Sequence, residues 1–81
     1  MFKVYVIHQA GKKSSEVLPE SRTTTPSADA ALAGWRHLYD QPLSGDHVMV
    51  LTRDGVRLAS HRFGALPGDP EHAPRDFQIP E

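Results

Sequence analysis

The feature that most constrains the fold is the dipeptide Asp54-Gly55, which lies between two runs of alternating apolar and polar residues, HVMVLT and VRLASHRF. An Asp-Gly pair in this setting is the strongest short-range signal for a β-hairpin. Two registers fit it: a type I turn with a glycine bulge, and a two-residue turn that shifts the pairing by one residue and exchanges the partners. The sequence therefore predicts a hairpin over residues 47–63 and leaves its register open.

Two further strands are predicted before the hairpin. The run FKVYVIH alternates and is rich in β-branched and aromatic residues, which favours a strand near the N-terminus. A turn at residues 11–14 (GKKS) is followed by a weaker extended segment over residues 15–24. Because Pro19 has no backbone donor, this second strand is expected to lie at a sheet edge or to be interrupted.

One amphipathic helix is predicted within the stretch TTPSADAALAGWRHLYDQP. Thr25 is expected to cap it, Pro26 suits the first helical position, and Pro42 with Gly45 should end it. The apolar residues recur at helical spacing and form one stripe: Ala28, Ala31, Leu32, Trp35, Leu38 and Tyr39. The sequence therefore predicts that Trp35 lies buried between helix and sheet.

The predicted fold class is α+β, in the order β-β-α-β-β. One helix would pack on one face of a small, largely antiparallel four-stranded sheet. A chain of 81 residues can form only one core, and we assign this domain to residues 1–63. Residues 64–81 are expected to form a Pro-rich C-terminal arm without regular structure, because they contain Pro67, Pro70, Pro74 and Pro80.

Both faces of the predicted hairpin carry apolar residues, whereas a solvated antiparallel face should be polar at every second position. In the bulged register, the face under Leu32 and Trp35 carries Phe2, Val4, Val6, Val48, Val50, Val56 and Leu58. The opposite face then carries Tyr5, Ile7, Met49, Leu51, Ala59 and Phe63, alternating with Lys3, Arg57 and His61. We expect this face to be covered by the arm (Leu66, Phe77, Ile79), by a second copy of the chain, or by a different protein.

Composition narrows the functional classes. The chain has no cysteine, which excludes disulfides and thiolate metal sites and fits a reducing compartment. The N-terminal apolar run is too short for a secretory signal, and no stretch approaches the roughly 20 apolar residues of a membrane span. A soluble, cytoplasmic protein is expected. The net charge of −1 lacks the basic excess that is typical of nucleic-acid-binding modules.

The sequence shows no pattern of catalytic or metal-ligating residues. The five histidines include no pair at a ligand spacing such as HxxxH, and there is no glycine-rich phosphate loop. Ser60 and His61 are neighbours in sequence, but adjacent strand residues point to opposite faces and cannot pair directly. We therefore expect no enzyme activity, no metal and no cofactor.

The predicted interaction surface is the sheet face opposite the helix, with its basic rim. Aromatic residues, Met and Arg are enriched in protein interfaces. The residues assigned to this surface are Lys3, Tyr5, Met49, Arg53, Arg57, His61, Arg62 and Phe63. The basic rim suggests a protein partner with an acidic surface, and a homodimer is a further option. The alternative is nucleic acid, whose bases can stack on sheet aromatics, although the aromatic signature of ribonucleoprotein domains is absent.

Three stretches, RTTTPSADAAL, LTRDGVRLASHRF and PGDP, resemble small, mostly uncharacterised accessory proteins of proteobacterial plasmids, phages and integrative elements. The resemblance covers the chain from Phe2 to about Pro70. It rests on a cap, a hairpin and a turn, so it supplies no functional residues. It implies an accessory protein that binds a host or element-encoded partner. Inhibitors of bacterial defence, including anti-CRISPR proteins, are often compact α/β chains of about this size.

Overall fold

The computed structural model describes residues 1–9, 16–18 and 21–80, so the turn predicted at residues 11–14 lies outside the described residues, as does Pro19. Within these ranges, five strands and one helix follow one another along the chain. They are β1 (Phe2–His8), β2 (Glu16–Val17), β3 (Thr23–Thr25), α1 (Ala28–Tyr39), β4 (His47–Arg53) and β5 (Val56–Arg62). All strand pairs are antiparallel, and α1 packs on the sheet. The predicted α+β class is confirmed.

The strand expected after β1 consists of two short pieces along one edge of the sheet. The main order is β2-β1-β4-β5, and β3 pairs with the first half of β1. Between the two pieces, the Ser21 hydroxyl takes the place of a ladder partner and accepts a hydrogen bond from the Val6 amide at 2.9 Å. The predicted interruption is confirmed, and β4 is left as the inner neighbour of β1.

The helix begins later than predicted from the sequence, at Ala28. Ser27 is the N-cap, and its hydroxyl accepts from the Ala30 amide at 3.2 Å. Thr25 is paired with Phe2 at the end of β3, two residues before the cap, and its hydroxyl accepts a hydrogen bond from the Ser27 amide at 3.1 Å, outside the helix. The assignments of Thr25 to the cap and of Pro26 to the first helical position were wrong. The apolar stripe is confirmed, since Ala31, Trp35 and Leu38 are buried.

The hairpin uses the two-residue turn. Asp54 (φ 52°) and Gly55 (φ 84°) both have positive φ, and Arg53 pairs directly with Val56. This combination gives a type I′ turn, whose twist matches that of the flanking strands. A bulge then shifts the register by one residue, so that Leu51 pairs with Ala59 while Thr52 pairs with Arg57.

The pairing of β4 with β1 places other residues under the helix than those predicted from the sequence. Val4 pairs with Leu51 and Val6 with Met49, and Met49 pairs in turn with His61. Side chains of directly paired residues share a face, so the long side chains of Leu51 and Met49 lie on the helix-covered side. The placement of Val48 and Val50 under the helix was therefore wrong. Val56, also assigned to the core, is 63% exposed at the turn.

The core lies between α1, the sheet and the arm. Trp35 is fully buried, as predicted, together with Val4, Val6, Ala31, Leu38, Met49, Leu51, Phe63 and Ala73. Leu32 and Leu58 pack against this cluster, and so do Phe77 and Ile79 from the arm. The arm thus extends the core beside α1 and does not cover the other sheet face, while Leu66 is exposed. The described part of the chain contains no helix with the length and apolar character of a membrane span.

Candidate interaction surface

The sheet face turned away from α1 is the candidate site, and we call it the open face. Because side chains alternate along a strand and paired residues share a face, the register defines its members. They are Lys3, Tyr5, Ile7, Val17, Thr24, Val48, Val50, Thr52, Arg57, Ser60 and Arg62. The helix and the apolar residues of the arm pack on the other side. The open face therefore combines an apolar centre with basic residues.

Two shallow hollows lie on the open face and share Ile7. The larger has a volume of about 410 Å³ and is lined by Lys3, Tyr5, Ile7, Val17, Arg22, Thr52 and Gly55. The smaller has a volume of about 210 Å³ and is lined by Ile7, Gln9, Val48, Val50, Arg57, Ser60, Arg62 and Glu71. Together they form a concave strip along the sheet. Its lining includes three partly exposed aliphatic side chains, Ile7, Val17 and Val48, whereas Val50 is fully buried.

The cations around this strip are of two kinds. The Arg62 guanidinium donates to the Gly45 carbonyl at 2.8 Å and to Gln9 Oε1 at 2.9 Å, and it pairs with the Glu71 carboxylate. Its donors are therefore used within the fold, to join the arm at Glu71, the loop before β4 at Gly45 and the end of β1 at Gln9. Lys3, Arg22 and Arg57, in contrast, are exposed and form no ion pair with any residue that the structure describes.

The remaining ion pairs lie away from the open face. Arg75 donates two hydrogen bonds of 2.8 Å to the carboxylate of Asp40 at the end of α1, and they lower the pKa of Asp40 below its usual range. The N-terminal amine donates to Asp54 at 2.7 Å and lowers the pKa of that carboxyl as well. Two of the acidic residues are thus paired with cations outside the open face. The open face itself carries Lys3, Arg57 and Arg62, and its neighbouring acid, Glu71, is paired with Arg62, so the net charge of this face is positive.

The structure divides the eight residues assigned to the interaction surface. Lys3, Tyr5 and Arg57 lie on the open face, and Arg62 lies there as a structural clamp.

The other four lie on the covered side, so placing them on the open face was wrong. Met49, His61 and Phe63 are buried there, at 0%, 5% and 5% exposure. Arg53 is paired with Phe2 on that same side, and its guanidinium donates to the Pro80 carbonyl at 3.2 Å. The bulged register had grouped Met49 with His61, and these two residues do pair, but the pairing of β4 with β1 turns this side of the hairpin towards the helix.

Sequence reasoning missed part of the floor and one of its cations. Val48 and Val50 were assigned to the core, and Arg22 and Val17 were not considered. Val17 belongs to a strand of two residues, too short to show alternation, and Arg22 lies in the break before β3. The valine positions follow from the pairing of Val48 with Ile7 and of Val50 with Tyr5, for which the sequence carries no local signal.

The positions of Ser60 and His61 confirm that these neighbours cannot pair. Ser60 lines the smaller hollow of the open face, whereas His61 is buried on the opposite side of the same strand. His8 and His47 stack on each other with ring centroids 4.7 Å apart. Over the described residues, no group of three or more His, Asp or Glu side chains is arranged to hold a metal ion.

A second concavity lies between α1 and the β2–β3 edge. Its volume is about 280 Å³, and it is lined by Val6, Leu18, Ser21, Thr23, Gly34, His37, Leu38, Gln41 and Leu43. No acidic residue and no Lys or Arg is among these lining residues. This groove is the main rival to the open face as a binding surface.

No protein-family model, curated protein or solved structure matches this chain. The open face has an apolar floor, three cations without ion-pair partners among the described residues, and one aromatic side chain, Tyr5. Such a surface is suited to an amphipathic partner that carries negative charge.

Proposed function

We propose that this chain is a non-catalytic protein-binding module whose open face receives an acidic surface of its partner. The observation that carries the proposal is the placement of Lys3, Arg22 and Arg57 around one concave apolar floor. The chain as a whole has a net charge of −1, so this concentration of positive charge is local. Charge of this kind steers the approach of an oppositely charged partner, while the buried apolar area supplies affinity.

Nucleic acid is the second candidate, because the same three cations could contact phosphates. The floor favours protein. Proteins that bind single strands stack successive bases on several aromatic side chains, and Tyr5 is the one aromatic residue of the open face. Between the cations lie the partly exposed Ile7 and Val48, which suit apolar side chains of a protein.

The resemblance to accessory proteins of mobile elements suggests what the module is for. We propose a cytoplasmic inhibitor of a host defence system, similar in mode of action to anti-CRISPR proteins. Such an inhibitor acts by occupying a surface of its target, which needs a well-shaped face and no catalytic group. A small chain that presents one basic, concave face is compatible with this mode.

A capture experiment with matched charge variants tests the proposal. The chain is immobilised, exposed to host lysate at about 150 mM salt, and compared with Lys3→Glu/Arg57→Glu and with Arg36→Glu as control. Arg36 lies on α1, and its replacement leaves the open face unchanged. We expect the wild-type chain and the control to capture the same defined protein, and the double variant to lose it.

Two results would contradict the proposal. If the double variant captures that protein as the wild-type chain does, the open face is not the binding surface. The groove variant His37→Ala then shows whether the helix side binds instead, since His37 lines that groove. If the wild-type chain is retained on a DNA column at this salt concentration and the double variant is not, the open face binds nucleic acid.

A further inference from the structure

A buried histidine holds the C-terminal arm in place. The His61 ring is only 5% exposed and stacks on Tyr39 with ring centroids 4.4 Å apart. Its Nδ1 atom accepts a hydrogen bond of 3.0 Å from the Ala73 amide. The neighbouring carbonyl groups are also bound, since Tyr39 donates to the Ala73 carbonyl at 3.0 Å and Trp35 donates to the Pro74 carbonyl at 3.1 Å. Three side chains of the core thus bind two adjacent residues of the arm.

These hydrogen bonds determine where the protons lie. Since the Ala73 amide can only donate, His61 Nδ1 must be unprotonated, and the ring is neutral with its proton on Nε2. The Tyr39 hydroxyl uses its single proton to donate a hydrogen bond to the Ala73 carbonyl. The contact of 3.4 Å between that hydroxyl and His72 Nε2 therefore has His72 as its donor.

Protonation of His61 is incompatible with this arrangement. A proton on Nδ1 would face the N–H of Ala73, so the imidazolium would lose its acceptor role and leave the amide without a partner. The second imidazole, His72, packs edge-on with centroids 5.1 Å apart, and its positive charge would repel that of His61. The pKa of His61 is accordingly lowered, first by burial and second by His72.

Among the described residues around His61, no carboxylate is free to offset its charge. From α1 it meets Tyr39, and Asp40 beyond it is paired with Arg75 of the arm. From the arm it meets His72, and the neighbouring Glu71 is paired with Arg62. Within the sheet, it faces Met49 on β4 and Phe63 after β5, and Phe63 separates it from His47.

We propose that His61 and His72 make the arm a pH-sensitive latch, closed while His61 is neutral and released when it is protonated. Release would expose the aromatic surface formed by Trp35, Tyr39, Phe63 and His61, against which Ala73, Phe77 and the rest of the arm now pack. This device lies on the covered side of the sheet, and it does not depend on the function proposed for the open face.

The sign of the pH dependence follows from the lowered pKa. In the open arm, His61 is solvated and has a pKa near the usual value of about 6.5. Above that value it is neutral in both states, and closure has its full stability. As the pH falls towards the lower pKa of the closed state, the open state binds more protons, so closure weakens. For each pH unit between the two pKa values, release becomes about tenfold more favourable.

Amide hydrogen exchange across this pH range tests the latch in the full chain. Protection factors, corrected for the intrinsic exchange rate, are measured between about pH 7.5 and about pH 5. We expect the Ala73 amide to lose its protection, with an accompanying red shift in the emission of Trp35, the only tryptophan. The amides of Met49 and Leu51, at the centre of β4, should stay protected.

Three variants assign the effect to the two histidines. In His61→Asn, the amide oxygen replaces Nδ1 as an acceptor that does not titrate, so Ala73 should remain protected at about pH 5. In His72→Gln the repulsion is removed, and release at the same pH should be weaker. His37→Gln, at an exposed position on α1, is the control and should behave as the wild type.

The latch is excluded if wild-type Ala73 keeps its protection at about pH 5. It is equally excluded if the loss persists in His61→Asn, or if Met49 and Leu51 lose protection together with Ala73, because the whole domain would then unfold. If His61→Asn does not fold, the wild-type titration and the comparison of His72→Gln with His37→Gln decide the question.

Discussion

The two faces of the sheet differ little in apolar content and greatly in how their polar groups are used. On the covered side, Met49 and Leu51 are buried, and the polar group among them, His61, is bound by the arm. On the open face, Val50 is also fully buried by its neighbours, yet the adjacent Arg57 is exposed. Apolar residues alone therefore do not identify the covered face of a small sheet. That face is identified by whether its polar groups are bound within the fold.

The largest expected effect on stability is the difference between two single variants that place a charge at adjacent positions on opposite faces. Met49→Lys buries an unpaired ammonium group under the helix, which costs several kcal/mol and should leave the chain largely unfolded. Val48→Lys lies on the open face, where the ammonium group reaches water, and should cost about 1 kcal/mol or less. Circular dichroism during thermal denaturation measures both. If Val48→Lys unfolds and Met49→Lys does not, the faces are assigned the wrong way round.

The next largest effect is expected at the centre of the covered side. Trp35→Ala removes a fully buried indole that packs on Phe77 and donates to Pro74, and it should cost about 3–5 kcal/mol. Urea denaturation gives the change in the free energy of unfolding. A variant that denatures at the parent's midpoint would remove Trp35 from the core.

Deletion of residues 69–81 tests whether the arm contributes to the stability of the core. The truncated chain loses the partly buried Phe77 and Ile79 and the hydrogen bonds to Ala73 and Pro74, so we expect a loss of about 2–4 kcal/mol. The exposed aromatic surface should also promote self-association, which sedimentation velocity measures. An unchanged melting temperature with a monomeric truncated chain would mean that the arm does not belong to the core.

The smallest effect on stability is expected on the open face. Lys3 and Arg57 are exposed and have no ion-pair partner among the described residues, so Lys3→Glu/Arg57→Glu should change the free energy of unfolding by about 0.5 kcal/mol or less. Urea denaturation of the double variant checks this. A loss of several kcal/mol would show that these cations stabilise the fold and are not free for a partner.

Much of the fold could be predicted from local signals. The N-terminal strand, the interrupted edge, the helix stripe around Trp35 and the Asp54-Gly55 hairpin each depend on residues close together in sequence. The cap was misplaced because Thr25 and Ser27 are both good capping residues, and the local sequence does not show that β3 continues to Thr25 and the helix begins after Ser27.

The candidate site was predicted less well, because it depends on register and on the arm. Alternation cannot distinguish Val48 and Val50 from Met49 and Leu51, since both pairs are apolar. The arm binds through backbone groups of Ala73 and Pro74, which leave no periodic pattern in the sequence. Lys3, Tyr5 and Arg57 were placed correctly on the open face, whereas Met49, His61 and Phe63 lie on the side that the β1–β4 pairing turns towards the helix.

The assignment of the two sheet faces is tested most directly by measuring which strand side chains lie beneath Trp35. Nuclear Overhauser effects from the Trp35 indole protons report methyl groups within a few ångströms. The structure predicts contacts with methyl groups of the covered side, Met49 and Leu51 among them, and none with Val48 or Val50. Contacts with Val48 and Val50 would reverse the two faces and remove the basis for the proposed interaction surface.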